Sequence, residues 1–139
     1  MRQTATGCKR PPVPTPAATP NDTAGNLIQD DCFTYVYNQA NCLAEVRQNG
    51  ITVATYTYNA EGQRVVKTVS GQTSHFLYGP EGQLIGIYDA VTGNAREENL
   101  YFGSTPVATV CNGITYYIHA DHLGTPRLVS DQSQTVVWH

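Results

Sequence analysis

One constellation in this chain has the residue types for catalysis or metal binding: His119-Ala-Asp121-His122, with Arg127 five positions further on. Two imidazoles and a carboxylate are legitimate ligands for zinc and similar ions. The spacing argues against a single centre. His119 and Asp121 are two apart and share one face of a strand, whereas His122 falls in the turn that follows. The other histidines, His75 and His139, are distant in sequence. Asp121 as a turn former and His119 as a packed strand residue account for the same spacing. A Ser-His-Asp hydrolase is weaker still, because no Gly-x-Ser-x-Gly elbow is present. Arg127 is expected to make a salt bridge or a backbone hydrogen bond near the turn. The reading is a non-enzymatic chain with no metal and no cofactor.

The elements that hold these residues are written as a repeat. Tyr56-Thr-Tyr58-Asn59-Ala-Glu-Gly62-Gln63 is echoed by Tyr35-Val-Tyr37-Asn38-Gln-Ala-Asn41 and by Phe76-Leu-Tyr78-Gly79-Pro-Glu-Gly82-Gln83. Tyr37, Tyr58 and Tyr78 stand 21 and 20 residues apart, a period that marks an array of identical supersecondary units. The paired aromatics share parity, so each pair points to one sheet face, and stacked pairs form an aromatic stripe. The four residues after each pair suit a type I turn: an amide at the first position, Pro80 at a second, and Gly62, Gly82 or Asn41 at the fourth. β-Branched runs such as Arg64 to Val69 follow. The predicted strands are 32–38, 42–48, 51–59, 63–70, 72–78 and 83–89. Asn49-Gly50 is a two-residue hairpin turn, and 89–93 is a longer one. Glu98 to Ser104 reads as a strand leading into Thr105 to Val110. No window carries a helical period, so the fold class is all-β, an array of antiparallel β-hairpins.

Charged residues make up only 14% of the 139 and the net charge is −3. No basic cluster exceeds Lys9-Arg10, so no nucleic-acid partner is expected. No apolar run reaches membrane-spanning length. The first eight residues lack the apolar core of a signal peptide, which places any export signal outside this chain. Residues 1–20, rich in proline, read as a disordered tail. The cysteines at 8, 32, 42 and 111 include no C-x-x-C pair, which argues against a zinc ribbon. They read as small buried or incidental thiols, with a disulfide between distant strands left open.

From residue 21 onward these motifs resemble the bacterial YD-repeat, or Rhs (rearrangement hotspot), family. Its Tyr-Asp-x-x-Gly-x-Leu repeat is matched at Tyr37-Asn38, Tyr58-Asn59, Tyr88-Asp89 and Gly25-Asn26-Leu27. His119-Ala-Asp121-His122-Leu-Gly124-Thr-Pro126-Arg127 with Val136-Val-Trp138 is similar to the opening of the Rhs-associated core segment. Asn38, Asn59 and Gly79 depart from the family's usual Asp, and the Asp-Pro-x-Gly-Leu cleavage motif is absent.

The resemblance implies hairpin repeats over 21–112 and a truncated start of the core segment over 113–139. It implies a curved or spiralling sheet that forms part of a hollow β-shell. Structural roles are implied for Tyr37, Tyr58, Gly62, Tyr78, Gly82, Tyr88 and Asp89 in the repeats. In the core motif they fall to His119, Asp121, His122, Gly124, Pro126 and Arg127. The implied partners are the rest of a long Rhs chain and its toxin cargo, with self-association through open sheet edges. The implied location is outside the cell or on a bacterial surface. A second reading is a cell-surface module whose exposed tyrosines bind glycans.

Overall fold

A computed structural model of the protein describes residues 20–139. The proline-rich stretch expected as a tail lies, apart from Pro20, outside the described residues. Each predicted run forms a strand ending where turn residues interrupt it: β1 Thr34–Tyr37, β2 Leu43–Gln48, β3 Ile51–Tyr58, β4 Arg64–Val69, β5 Gln72–Tyr78 and β6 Leu84–Asp89. Five more follow: β7 Ala95–Phe102, β8 Thr105–Cys111, β9 Ile114–Ala120, β10 Pro126–Ser130 and β11 Val136–Trp138. Every strand pairs antiparallel with its sequence neighbours, in the order β1 to β11. The all-β hairpin array is thus realised as one open, uncurled sheet. It runs unbroken across 112–113, where β8 pairs with β9.

A single layer covers little of itself. Five described residues are buried, and all are small: Ala54, Ser74, Gly86, Ala108 and Ser130. The aromatics lie between solvent and core. Tyr56 pairs with Lys67, which pairs with Ser74, and Phe76 pairs with Ile87. Directly opposed residues share a face, so Tyr56, Tyr58, Phe76 and Tyr78 line one side of the sheet. Of the cysteines, Cys42 and Cys111 are free and half-buried, whereas Cys32 is disulfide-bonded.

The turns follow from one side chain. In 59–62, the Asn59 Oδ1 accepts the backbone N–H groups of Glu61 and Gln63, and the Gly62 N–H donates to the Asn59 carbonyl. This Asx geometry recurs at Asp22, Asn38, Asp121 and Asp131. The fourth residue adopts positive φ, 77° at Gly62, and Asn41 tolerates the same region at 62°. Gly79 keeps the backbone bonds of the turn but has no capping side chain, and the buried Gln83 Oε1 is left without a partner.

Gly79→Asn is therefore expected to raise the unfolding free energy by about 1 kcal/mol. It supplies the missing acceptor, restricts the unfolded chain and offers an Nδ2 donor to Gln83. Asn59 already donates in this way to Gln63 Oε1, at 2.8 Å. The new Cβ would stand 2.9 Å from Gln83 Oε1, a flexible tip able to swing aside. A urea titration reads the change. A lower midpoint would mean that crowding against Ile85, at 3.4 Å, wins.

Candidate functional site

The most regular chemistry in the chain is at the sheet edge carrying turns 38–41, 59–62, 79–82 and 121–124. Each tyrosine that closes a strand there sends its hydroxyl back to a backbone carbonyl. Tyr37 donates to Leu27 O at 3.0 Å, Tyr58 to Leu43 O at 2.8 Å, Tyr78 to Arg64 O at 3.0 Å and Tyr101 to Leu84 O at 3.1 Å. The last three acceptors lie just past the preceding turn on the same edge. The rungs thus tie one hairpin to the next. A register shift sits at every one of these tyrosines, between Val36/Tyr37, Thr57/Tyr58, Leu77/Tyr78 and Leu100/Tyr101. Each is a bulge that re-aims side chains next to the rung.

Tyr101 was not among the expected repeat residues. It precedes a two-residue turn at 103–104 instead of a four-residue one, and only its place at the end of β7 could have revealed it. Tyr88-Asp89 has the repeat spelling but lies on the opposite edge. There the Tyr88 hydroxyl donates to Glu98 Oε1 at 3.1 Å, and Asp89 organises the long turn and pairs with Arg96.

In the β9–β10 hairpin Ala120 takes the tyrosine's place, opposite Pro126, and Arg127 is the bulge residue. Asp121 caps the turn through Oδ1, accepting from the N–H groups of Leu123 and Thr125, while its Oδ2 accepts from Arg127 Nε at 2.9 Å. His122 is exposed in that turn, and Gly124 takes the positive-φ position at 78°. Pro126 opens β10. His119 reaches across to Ser130, Nε2 to Oγ at 2.9 Å. The three residues of the constellation therefore serve different ends. Ser130 is only 6% exposed, and both Asp121 oxygens are committed to the turn and to Arg127, so no acyl-transfer geometry results. Among the described residues, no three of His, Cys, Asp and Glu stand close enough to hold a metal ion.

Five carboxylates, Asp22, Asp30, Glu45, Asp89 and Asp121, are held below their usual range by donors. Asp22 is lowered first by the Asn26 amide, Asp89 by the Thr92 N–H and then Arg96, and Asp121 by the Thr125 N–H. Glu45 is brought to about 2 by the Arg47 guanidinium and then by the Thr52 hydroxyl. Conversely, donating to Asp30 pushes the Tyr35 phenol up to about 12. A carboxyl lowered by folding binds its proton more readily in the unfolded chain. Its stabilisation is present above the ordinary pKa, roughly 4, and is lost as pH falls through the folded value. The urea midpoint is expected to stay flat from pH 7 to about 5 and to drop below about pH 4. Hydrogen exchange in acid should open 121–124 before 59–62, whose cap, Asn59, does not titrate. Equal protection of the two turns at about pH 2 would contradict this.

Two arginines meet the aromatic face. The Arg64 guanidinium lies 4.6 Å from the Phe76 ring centre and 5.6 Å from that of Tyr56. Arg96, the residue skipped between the Ile87–Glu97 and Tyr88–Ala95 pairs, donates to Ser74 Oγ at 3.3 Å as well as to Asp89.

A family model described as teneurin YD-shell matches residues 20–139. The chain belongs to that family. The curated relatives it resembles are far longer. It is 28% identical over 117 residues to the tRNA3(Ser)-specific nuclease WapA of Bacillus spizizenii, covering 81% of this chain and 5% of that protein. To the tRNA(Glu)-specific nuclease WapA of Bacillus subtilis subsp. natto it is 27% identical over 121 residues, 84% of this chain and again 5% of the relative. The YD-shell chain thus spans about one twentieth of the length of these relatives. Among its described residues no helix is long and apolar enough to cross a membrane.

Proposed function

We propose that this chain is a wall segment of a YD-repeat shell that encloses and delivers a carboxy-terminal toxin, outside the cell or at its surface, and that the segment itself is non-catalytic. The observation carrying this reading is the single-layer sheet with five small buried residues. Such a sheet gains its stability from neighbours on its faces and edge, as a segment of a larger wall does. The named activity of the relatives, tRNA cleavage, supports the toxin context, and the match to a twentieth of their length leaves ample chain for a toxin elsewhere. Adhesion through the repeat tyrosines is disfavoured. Their hydroxyls, at Tyr37, Tyr58, Tyr78 and Tyr101, are already bonded to backbone carbonyls.

The first test is to read the gene past the codon for His139. A frame running through a cleavage motif into an unrelated domain supports the wall; an immediate stop removes the cargo. The second is to incubate the purified chain with bulk tRNA, which should remain intact. Cleavage abolished by His119→Ala would overturn the non-catalytic assignment.

A further inference from the structure

The described residues contain five Lys and Arg side chains: Arg47, Arg64, Lys67, Arg96 and Arg127. Three are in ion pairs, with Glu45, Asp89 and Asp121 respectively for Arg47, Arg96 and Arg127. The two left over, Arg64 and Lys67, are neighbours on β4, and both are on the aromatic face. Residues three apart on a regular strand point to opposite faces. Here the register shift beside Tyr58, which skips Val65, turns Arg64 onto the side of Tyr56 and Phe76, where Lys67 already lies. The Arg64 Nε is buried and without a partner. A chain with net charge −3 thus gathers its unpaired described cations in one place.

Next to Lys67 is an open depression of about 450 Å³ whose lining includes Lys67, Ser74, Phe76, Ile87, Arg96 and Glu97; Arg64 is outside that lining but stacks on Phe76. We propose that this part of the aromatic face binds an acidic protein segment. Two carboxylates engage Arg64 and Lys67, and an apolar side chain enters over Phe76 and Ile87. The Arg64 guanidinium and the Lys67 ammonium have no carboxylate partner among the described residues, and a carboxylate accepts from donors of both kinds. The pocket stands whether or not the chain is a shell wall.

The probe is the peptide acetyl-Glu-Leu-Glu-amide, titrated into the full chain while backbone amide shifts are followed across β4 and β5. The expected result is saturable binding that weakens with added salt. Affinity should fall roughly tenfold in Lys67→Met and again in Arg64→Met. Lys67 has no hydrogen-bond partner among the described residues, so Lys67→Met should retain the wild-type melting transition and serves as the folded control. Tyr117→Ala, outside the pocket, should bind as the wild type does. Equal binding of acetyl-Gln-Leu-Gln-amide would overturn the charge argument. Inorganic phosphate or acetate matching the peptide would reduce the site to a simple anion contact and overturn the proposal. So would tighter binding of a short RNA, or full binding by Lys67→Met.

Discussion

Tyr78→Ala lowers the unfolding free energy by about 2–4 kcal/mol, and Tyr78→Phe by about 1 kcal/mol. The larger figure combines loss of a half-buried ring beside the Arg64–Phe76 stack with loss of the rung to Arg64 O. The smaller isolates the hydroxyl, whose removal also strands that carbonyl. In a sheet with so little buried surface, each tyrosine is a large share of what joins one hairpin to the next. Tyr58→Phe should behave alike through Leu43 O, whereas Tyr117→Phe should be silent, because Tyr117 is 47% exposed. Denaturant midpoints across the series decide it. If Tyr78→Phe and Tyr117→Phe were equally silent, the rungs would be geometry without energy.

The second large effect concerns association. The outer side of β1 is partly covered, since Tyr35 N donates to Ile28 O and Gln29 bridges Thr34. Among the described residues β11 has no such cover: Val136, Val137 and Trp138 are each at least 50% exposed, and β11 pairs only with β10. Such an edge templates pairing with another chain, and a lysine placed on it blocks pairing. At tens of micromolar, on the order of an ordinary sample, we expect the scattered-light mass to rise with concentration beyond twice the monomer. The double variant Val136→Lys/Trp138→Lys should need at least about tenfold more protein to reach the same mass. A wild-type chain that stays monomeric throughout would refute it.

Much of the sheet was legible in the sequence because turn chemistry is local. Asn49-Gly50, Asn59 to Gly62 and Gly79 to Gly82 placed the strands between them to within a residue or two. Parity correctly put Tyr56 with Tyr58 and Phe76 with Tyr78. The bulges were hidden, because nothing in Val65 or Arg96 announces that a strand will skip it. The side chains that bulges move, Arg64 and Arg96, were therefore the ones parity could not assign. The repeat spelling alone likewise could not tell which edge Tyr88-Asp89 would occupy. At His119 to His122 the spacing gave the parity of one pair but not the partners: His119 meets Ser130, and Asp121 accepts from the turn.

Every strand takes its hydrogen bonds from the strand before it and the strand after it in sequence. Deleting β3 and β4 together would leave β2 facing β5 with the same antiparallel polarity and the turns on their original edges. Inserting a hairpin would be equally neutral to the remaining ladder. A gene of this kind can gain or lose a period of 20 or 21 residues in one recombination event without re-threading anything that stays behind. The number of hairpins is then free to vary without disturbing the ladder of those that remain.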